Sequence, residues 1–400
     1  MPGLFLFIFA LFLAAAFMNL DFIFYILYIF FGIYLLGKLW TRQAMRAIRH
    51  HRLLPSDHAF LGEVLQAELE IVNTSWFPLP WLRLRDNLPV QLHVPSSFHR
   101  VISLLSHERV TFTYQLHCRR RGYYQLGPLF LWAGDLFGVA QEVQQRDELQ
   151  PLTVYPKIVP LHHVALPSQS PFGELPSRQH IFEDPTRVIG VRDYTSSDSM
   201  RHINWKTSAN MGRLQVKKYE PAISLETALF LNLNSEEYDP RSRADVTELA
   251  IVIAASIANH LVEKRQAVGL ATNGLDPLAE EAQAAGSRQA VSLPPRKGRG
   301  HLMKVLEVLA RVEVRPTFPF TELLRRESVI LSWGTTAIVI TPQETKELFA
   351  GLLQLRRRGF HVVLIIVEIG GSFSQTRQRA AQIGIPAHHI WRESDLDMWR

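Results

Sequence analysis

The chain has 400 residues, of which 47% are apolar and 20% charged, with a formal net charge of +6 and one cysteine. That length exceeds a single small core and predicts two or three domains. One cysteine excludes a disulfide framework, and so modest an excess of base does not by itself call for nucleic acid.

The apolar residues are unevenly spread. Leu4 to Phe17 carries no charge, Asn19-Leu20-Asp21 interrupts, and Phe22 to Gly37 is apolar again. Each run is near the lower limit of about 17–25 residues for a membrane span, and the break between them suits a turn. The expectation is a transmembrane hairpin over residues 1–40. A signal peptide wants a charged segment ahead of its apolar run; here only the amino terminus is positive, and a second apolar run follows at once. Lys38, Arg42, Arg46, Arg49 and Arg52 crowd the exit of the second run, with no acid before Asp57. The positive-inside rule then places everything after residue 40 in the cytoplasm, where the basic run can rest on anionic lipid.

From Leu53 to Ile158 the pattern is β. Gly62 to Asn73 alternates at period two, Arg109 to Cys118 puts Val110, Phe112, Tyr114 and Leu116 on one face, and Tyr123 to Asp135 offers two short strands around Gly127-Pro128. Short strands separated by turn signals predict a β-sandwich over about 41–165. Pro156 to Pro185, rich in Pro, Ser and His, reads as a connector, so 166–223 holds the connector and the block discussed next. From 224 the pattern changes. Strands at Leu225–Leu233, Ala267–Asn273, Thr335–Thr341 and His361–Glu368 alternate with helices at Ala244–Arg265, Leu302–Val312, Phe320–Leu331 and Gln343–Gly359. A long loop fills Asp276–Gly300. Alternation of this kind predicts an α/β doubly wound, Rossmann-like domain, its parallel sheet covered on both faces.

The densest chemistry lies between Gly190 and Pro221, GVRDYTSSDSMRHINWKTSANMGRLQVKKYEP. Thr195-Ser196-Ser197-Asp198 fits a capping box, which predicts a short helix over Ser197–Ala209 with Met200, Ile203 and Trp205 as its apolar contacts, closed by Asn210-Met211-Gly212. Asp198 and Arg201 can pair on one face, and a strand carries Leu214 and Val216. Asp193, Asp198 and His202 are candidates for acid–base chemistry, but no nucleophile elbow or metal-ligand spacing accompanies them. Arg192, Arg201, Lys206, Arg213, Lys217 and Lys218 with Tyr194 and Trp205 would suit a nucleic-acid surface, yet Asp193, Asp198 and Glu220 offset half that charge. The other readings are an ion-paired clamp between two domains and a partner-docking surface, since exposed Trp and Arg anchor protein interfaces.

This block resembles the signature of the bacterial domain-of-unknown-function family 58, Tyr-x-x-Gly-Asp-x-x-Arg-x-Ile-x-Trp-x-x-Ser-Ala-Arg followed by a strand. Tyr194, Asp198, Arg201, Ile203, Asn204, Trp205, Lys206, Ser208 and Ala209 stand in register; Ser197 replaces the usual Gly and Asn210 the usual Arg. Arg120 to Ala140 resembles the family's upstream Arg-Gly-x-Tyr…Gly-Pro…Asp-x-Phe-Gly motif. The resemblance implies a membrane-anchored protein with a β-sandwich and a von Willebrand factor type A-like C-terminal domain, encoded beside MoxR-type AAA ATPases and transglutaminase-like membrane proteins. No activity is established for the family.

A type A domain that binds Mg²⁺ uses Asp-x-Ser-x-Ser after its first strand, because hard oxygen ligands suit that ion. Here Asn232, Asn234, Ser235 and Glu236 occupy that stretch, and Thr341-Pro342 follows the later strand where an Asp is usual. A degenerate site with at most weak Mg²⁺ binding is expected, and no other cofactor. His50-His51, His162-His163 and His388-His389 are adjacent pairs that cannot share a metal on one face and are assigned to surface loops. Arg356-Arg357-Arg358 ends a helix, where cations suit the macrodipole. Trp391 and Trp399 of the C-terminal segment are candidates for docking on the body.

The expected function is a non-enzymatic scaffold or adaptor in the bacterial inner membrane. Two spans anchor it, and its cytoplasmic domains dock a partner, a MoxR-type AAA ATPase, in cell-envelope protein assembly or maturation. Tyr194, Asp198, Arg201, Asn204, Trp205 and Lys206 serve as docking surface or clamp. A metal-dependent hydrolase at the top of the α/β sheet and a nucleic-acid-binding membrane protein are the alternatives.

Overall fold

The computed structural model describes residues 21–92, 98–135, 141–161, 183–195, 200–221, 226–278, 290–368 and 373–398. The first apolar run, His162-His163, most of the connector, Asp198 and Trp399 lie outside them. The chain divides into two compact units, Met1–Lys157 with Leu306–Val312, and Ile158–Val305 with Glu313–Arg400.

The first unit opens with helix α1 (Asp21–Arg46). Its apolar side chains from Phe22 to Trp40 are largely exposed, whereas Thr41, Ala44 and Met45 are buried. The exposed stretch is about 28 Å long at ~1.5 Å per residue, close to the ~30 Å hydrocarbon thickness of a bilayer. α1 is therefore long and apolar enough to cross a membrane. Its last turns are held elsewhere, where the Trp40 indole donates to the Pro78 carbonyl at 2.8 Å and lies 5.0 Å from the Phe77 ring.

Ten strands follow: β1 (Ile48–Leu53), β2 (His58–Phe60), β3 (Val64–Asn73), β4 (Leu79–Asp86), β5 (His99–Leu104), β6 (Arg109–His117), β7 (Gly122–Leu126), β8 (Leu129–Gly134), β9 (Gln141–Arg146) and β10 (Gln150–Tyr155). They form three sheets, β1-β3-β6, β2-β10-β7 and β5-β4-β8-β9, antiparallel except for β2 against β10. One core, with Leu69, Ile71, Leu82, Leu84, Leu116, Leu131 and Leu152, is shared among the sheets. Period-two alternation explains this, because every second side chain of β3 and β4 points inward. Asp86 falls on that inward register. It is fully buried beside Arg52, whose Nη2 lies 2.5 Å away, and it accepts from the Tyr114 hydroxyl at 3.0 Å. His50 and His51 belong to β1 and not to a surface loop; burial lowers the His50 pKa.

The second unit contains a two-stranded antiparallel ribbon, β11 (Glu183–Asp193) with β12 (Gln215–Pro221), and between them helix α2 (Trp205–Met211). A six-stranded sheet follows, built from β13 (Glu226–Leu231), β14 (Ala267–Thr272), β15 (Val291–Arg296), β16 (Thr336–Thr341), β17 (His361–Val367) and β18 (Ala387–Ile390). Their order is β15-β14-β13-β16-β17-β18. All neighbours are parallel except β15, which runs antiparallel at one edge. β13, β14, β16 and β17 are buried nearly throughout, as strands covered on both faces must be. Helices α3 (Arg243–Glu263), α5 (Phe320–Glu327), α6 (Lys346–Arg357) and α7 (Phe373–Gln382) complete the unit, and α4 (Arg299–Arg311) starts in it, its residues from Leu306 onward falling in the first unit. α3 is also apolar enough to cross a membrane, but 78% of its apolar window is buried inside the protein, which makes it a core helix.

Three elements differ from expectation. β15 replaces part of the expected loop: its Pro294-Pro295 removes two ladder donors, which an edge strand tolerates. Gly269 of β14 makes room for it, since a Cβ there would lie 2.7 Å from the Leu293 carbonyl oxygen and 2.8 Å from the Pro295 nitrogen. His388 and His389 sit on edge strand β18 and not in a loop. α5 ends at Glu327, four residues before the expected Leu331, so Val329 and Ile330 leave the helix and are exposed.

Candidate functional site

An open α/β sheet offers its ligand crevice where strand order reverses, outside the carboxyl ends of the strands. Here that point lies between β13 and β16, at Asn232 and Thr341. Asn232 is fully buried. Its amide nitrogen donates to Glu237 Oε2 at 2.8 Å and to Thr341 Oγ1 at 3.1 Å. Its amide oxygen accepts from the Asn234 backbone at 3.1 Å and from Asn273 Nδ2 at 3.3 Å. Asn234 Nδ2 donates to Glu237 Oε1 at 3.3 Å, while its oxygen accepts from the backbone of Glu236 and Thr317. The Tyr238 hydroxyl donates to the Asn232 carbonyl, and complete burial holds that phenol protonated.

Glu237 has a further partner, the Phe320 backbone nitrogen at 2.9 Å. α5 starts after Pro319, which has no side-chain cap to offer, so the carboxylate brought by the β13 loop caps it instead. Glu237 thus accepts from three donors. A cation needs oxygens converging on a point, but here the two amide nitrogens face the carboxylate and the amide oxygens are already engaged. Asn232, Asn234 and Ser235 are buried as parts of a closed network, and Glu236 is exposed, so these four do not form a cation site. Among the described residues no group of three or more His, Cys, Asp or Glu could hold a metal.

The Gly190–Pro221 block has the opposite character. Asn204 caps α2, its side chain accepting from Thr207 N at 3.3 Å. The Asn204 backbone donates to Gln215 O at 2.8 Å. The Ser208 hydroxyl donates to Asn204 O at 2.8 Å and accepts from Gln215 N at 2.8 Å. Ile203 and Val216 are buried and bridge. Gly212, with φ of 67°, closes the helix through its N–H to Ser208 O. The helix therefore begins at Trp205, later than expected, with Asn204 as its cap; Met200–His202 form a separate 3₁₀ turn.

With the frame satisfied internally, the large side chains face outward. Trp205 is 64% exposed, and Met200, Met211 and Leu214 are exposed with it. Of the three expected apolar contacts only Ile203 is buried. Lys206 is exposed and Tyr194 half-buried, with its backbone bonded to Leu214 O at 3.0 Å. Asp193 is drawn into the frame: Arg213 Nη1 lies 3.1 Å from it and Gln215 Nε2 donates to it. The Arg201 backbone belongs to the 3₁₀ turn. Gln215, buried and central to the frame, was missed in the sequence because a Gln within a strand of Lys and Tyr gives no signal of burial. Glu237 was missed because its task, capping a helix 83 residues away, has no local signature.

Mixed α/β architecture, a bilayer-length apolar helix and a polar-framed ribbon with an exposed aromatic define the class of chain. A model described as "Protein of unknown function DUF58" matches residues 190–326, the stretch that runs from the ribbon through α5. That segment is what the chain has in similarity to this family. It is 22% identical over 314 residues to the uncharacterized protein YeaD of Bacillus subtilis strain 168, covering 76% of this chain and 72% of that one. Among solved structures it is similar to an aerotolerance-related membrane protein of Bacteroides fragilis, at 12% identity with a TM-score of 0.30, covering 43% of this chain and 93% of that one. It is also similar to the CARDB domain of a Pyrococcus furiosus protein in complex with di-metal ions, at 14% identity with a TM-score of 0.21, covering 27% and 91%.

Proposed function

We propose that the chain is a membrane-anchored scaffold or adaptor that docks a protein partner on the outward face of its β11–α2–β12 block. The observation that carries this reading is the division of labour in the block. Its polar side chains and Ile203 hold the frame, while Trp205, Met200 and Met211 stand in solvent. Aromatic and Met side chains are the usual anchors of protein interfaces. α1 supports the anchor, and the basic residues from Lys38 to Arg52 support an inner membrane with the domains on the cytoplasmic side. The antiparallel-edged sheet, whose strands in chain order run third, second, first, fourth, fifth, sixth across it, supports a type A-like domain, with the unit of antiparallel sheets as a sandwich. The family resemblance implies genes for MoxR-type AAA ATPases and transglutaminase-like membrane proteins nearby, which makes a MoxR-type AAA ATPase the proposed partner and cell-envelope protein assembly the proposed setting. The closed network at Asn232 weighs against a hydrolase there, and the use of Arg213 within the frame weighs against a nucleic-acid surface.

The test is co-purification of the tagged full-length chain in mild detergent with ATP or a slowly hydrolysed analogue. The parent is compared with Trp205→Asp and Arg201→Glu. An ATPase recovered with the parent and lost with Trp205→Asp is the expected result. Recovery undiminished by either substitution sinks the docking face, and no ATPase in either nucleotide state sinks the partner.

A further inference from the structure

A second exposed apolar feature lies far along the chain from the block. After α5 ends at Glu327, the turn into β16 carries Val329, Ile330 and Trp333 at 73%, 74% and 57% exposure. The geometry that puts them there is specific. Trp333 lies against Gly359, just past the end of α6, so closely that a Cβ on that glycine would fall 2.1 Å from the indole nitrogen. Gly359 also has φ of 92°, which favours glycine. Only a residue without a side chain lets the indole rest there, beside Arg358. Arg358 in turn donates to Ser328 Oγ at 3.1 Å, which pins the start of the apolar turn to the end of α6.

The ends of α5 and α6, joined by that bond, bring Arg325, Arg326, Arg356, Arg357 and Arg358 to the two helix termini that flank the tip. Part of that cluster has a structural task, since two helices end here and cations suit their negative poles. Arg356 donates to the Ile383 carbonyl, Arg358 holds Ser328, and Arg326 pairs with Glu322. Arg325 and Arg357 are exposed and have no ion pair among the described residues. The only acid between Arg325 and Thr341 is Glu327. Two branched aliphatics and a tryptophan in a turn flanked by arginine-rich helix ends, with Glu322 and Glu347 lining the groove beside Arg325 and Arg358, match the chemistry of an anionic bilayer surface. Tryptophan favours the headgroup level, aliphatic tips enter the acyl boundary, and arginines near the surface gain from anionic lipid.

We infer that the Ser328–Gly334 turn is a second membrane contact, inserting Val329, Ile330 and Trp333 into the interface of an anionic leaflet while Arg325 and Arg357 bind its headgroups. This rests on the anchoring half of the proposed function and is independent of the docking half. Each arginine contributes about 1 kcal/mol, a fivefold change in the docked population.

The experiment uses the full chain. Cys118 is buried, and burial pushes its thiol up to about 11, so a cysteine introduced at the surface is labelled selectively. Ile330→Cys carries an environment-sensitive fluorophore. Arg241→Cys, exposed near the carboxyl edge of the sheet, is the control. Both are placed in nanodiscs of phosphatidylcholine, with and without phosphatidylserine. The expected result is a blue-shifted Ile330→Cys emission, quenched by doxyl lipid, in anionic discs only. The Arg241→Cys label should stay water-like, and the shift should vanish in an Arg325→Glu, Arg357→Glu background. If the chain stays in the discs but the two labels behave alike in both lipids, the inference is overturned and the anchor stands. If the chain leaves the discs, the anchor itself fails. A shift that grows with protein concentration in detergent alone overturns the inference in favour of a second copy of the chain.

Discussion

Asn232→Asp is the most informative single substitution. It changes one nitrogen to oxygen at a fully buried position. The nitrogen lost is the donor to Glu237 Oε2 at 2.8 Å and to Thr341 Oγ1 at 3.1 Å, so the variant sets two carboxyls against each other in place of a charge-assisted hydrogen bond. Leaving a buried charge without its partner costs about 3–5 kcal/mol, equivalent to about two to four decades in local opening. Hydrogen exchange on peptides covering β13 and β16 reads this directly. With chelator present, the variant should lose about two to four decades of protection at pH 7. Mg²⁺ or Ca²⁺ should restore part of it, because the change replaces a donor with the oxygen a cation needs. The parent should not respond to either ion. A variant as protected as the parent in chelator, or a parent stiffened by Mg²⁺, would refute the reading of this crevice as a self-satisfied network.

Four further outcomes follow from the same kind of reasoning. Arg52→Ala strands the fully buried Asp86 and should cost the first unit about 3–5 kcal/mol in denaturant melts. Arg52→Met with Asp86→Leu and Tyr114→Phe, which removes all three partners, should cost far less. Asn204→Ala should destabilise the β11–β12 ribbon by about 1 kcal/mol through its lost cap, read by exchange at Thr207 and Gln215. Trp205→Ala, removing an exposed side chain, should stay within about 0.5 kcal/mol; a large loss would return Trp205 to the role of a clamp. Burial, and then Arg377, lower the His388 pKa from 6.5 to about 4. Its imidazole therefore stabilises the fold above 6.5, and the contribution is lost as pH falls toward 4. Discounted for partial exposure, this is about 1 kcal/mol, and His388→Gln should flatten that limb of the stability–pH curve.

Where periodicity was strong and local, the sequence revealed its structure. The alternation of Val110, Phe112, Tyr114 and Leu116 is the strand β6, and the apolar run of Ala244–Arg265 is the helix α3, each within a few residues. Where structure depends on a partner far away in sequence, the reading failed. Pro294-Pro295 looks like a loop until β14 supplies Gly269 beside it. His388-His389 looks like a surface pair until β17 supplies the ladder. The Phe320–Leu331 helix stops early, its backbone passing to three-residue turns at Val329 and Ile330, where Ser328 meets Arg358 thirty residues later. The same division runs through the candidate sites. Asn232 and Asn234 were legible as substitutes for cation ligands. Glu237 was not, because nothing near it says that a helix starting at Phe320 lacks a cap.

The pattern of satisfied and unsatisfied surface gives the strongest argument about where this protein acts. A catalytic crevice keeps polar groups poised for something absent. At the switch point between β13 and β16 the opposite holds, since Glu237 is saturated by protein donors and Thr341 is bonded to Asn232. Among the described residues, large exposed apolar side chains lie outside the crevice: Trp205 with its methionines, the Val329–Trp333 tip, and the flank of α1. Under the proposed function all three would serve lasting contact with a protein or a bilayer, and loss of binding is then the expected consequence of removing any of them.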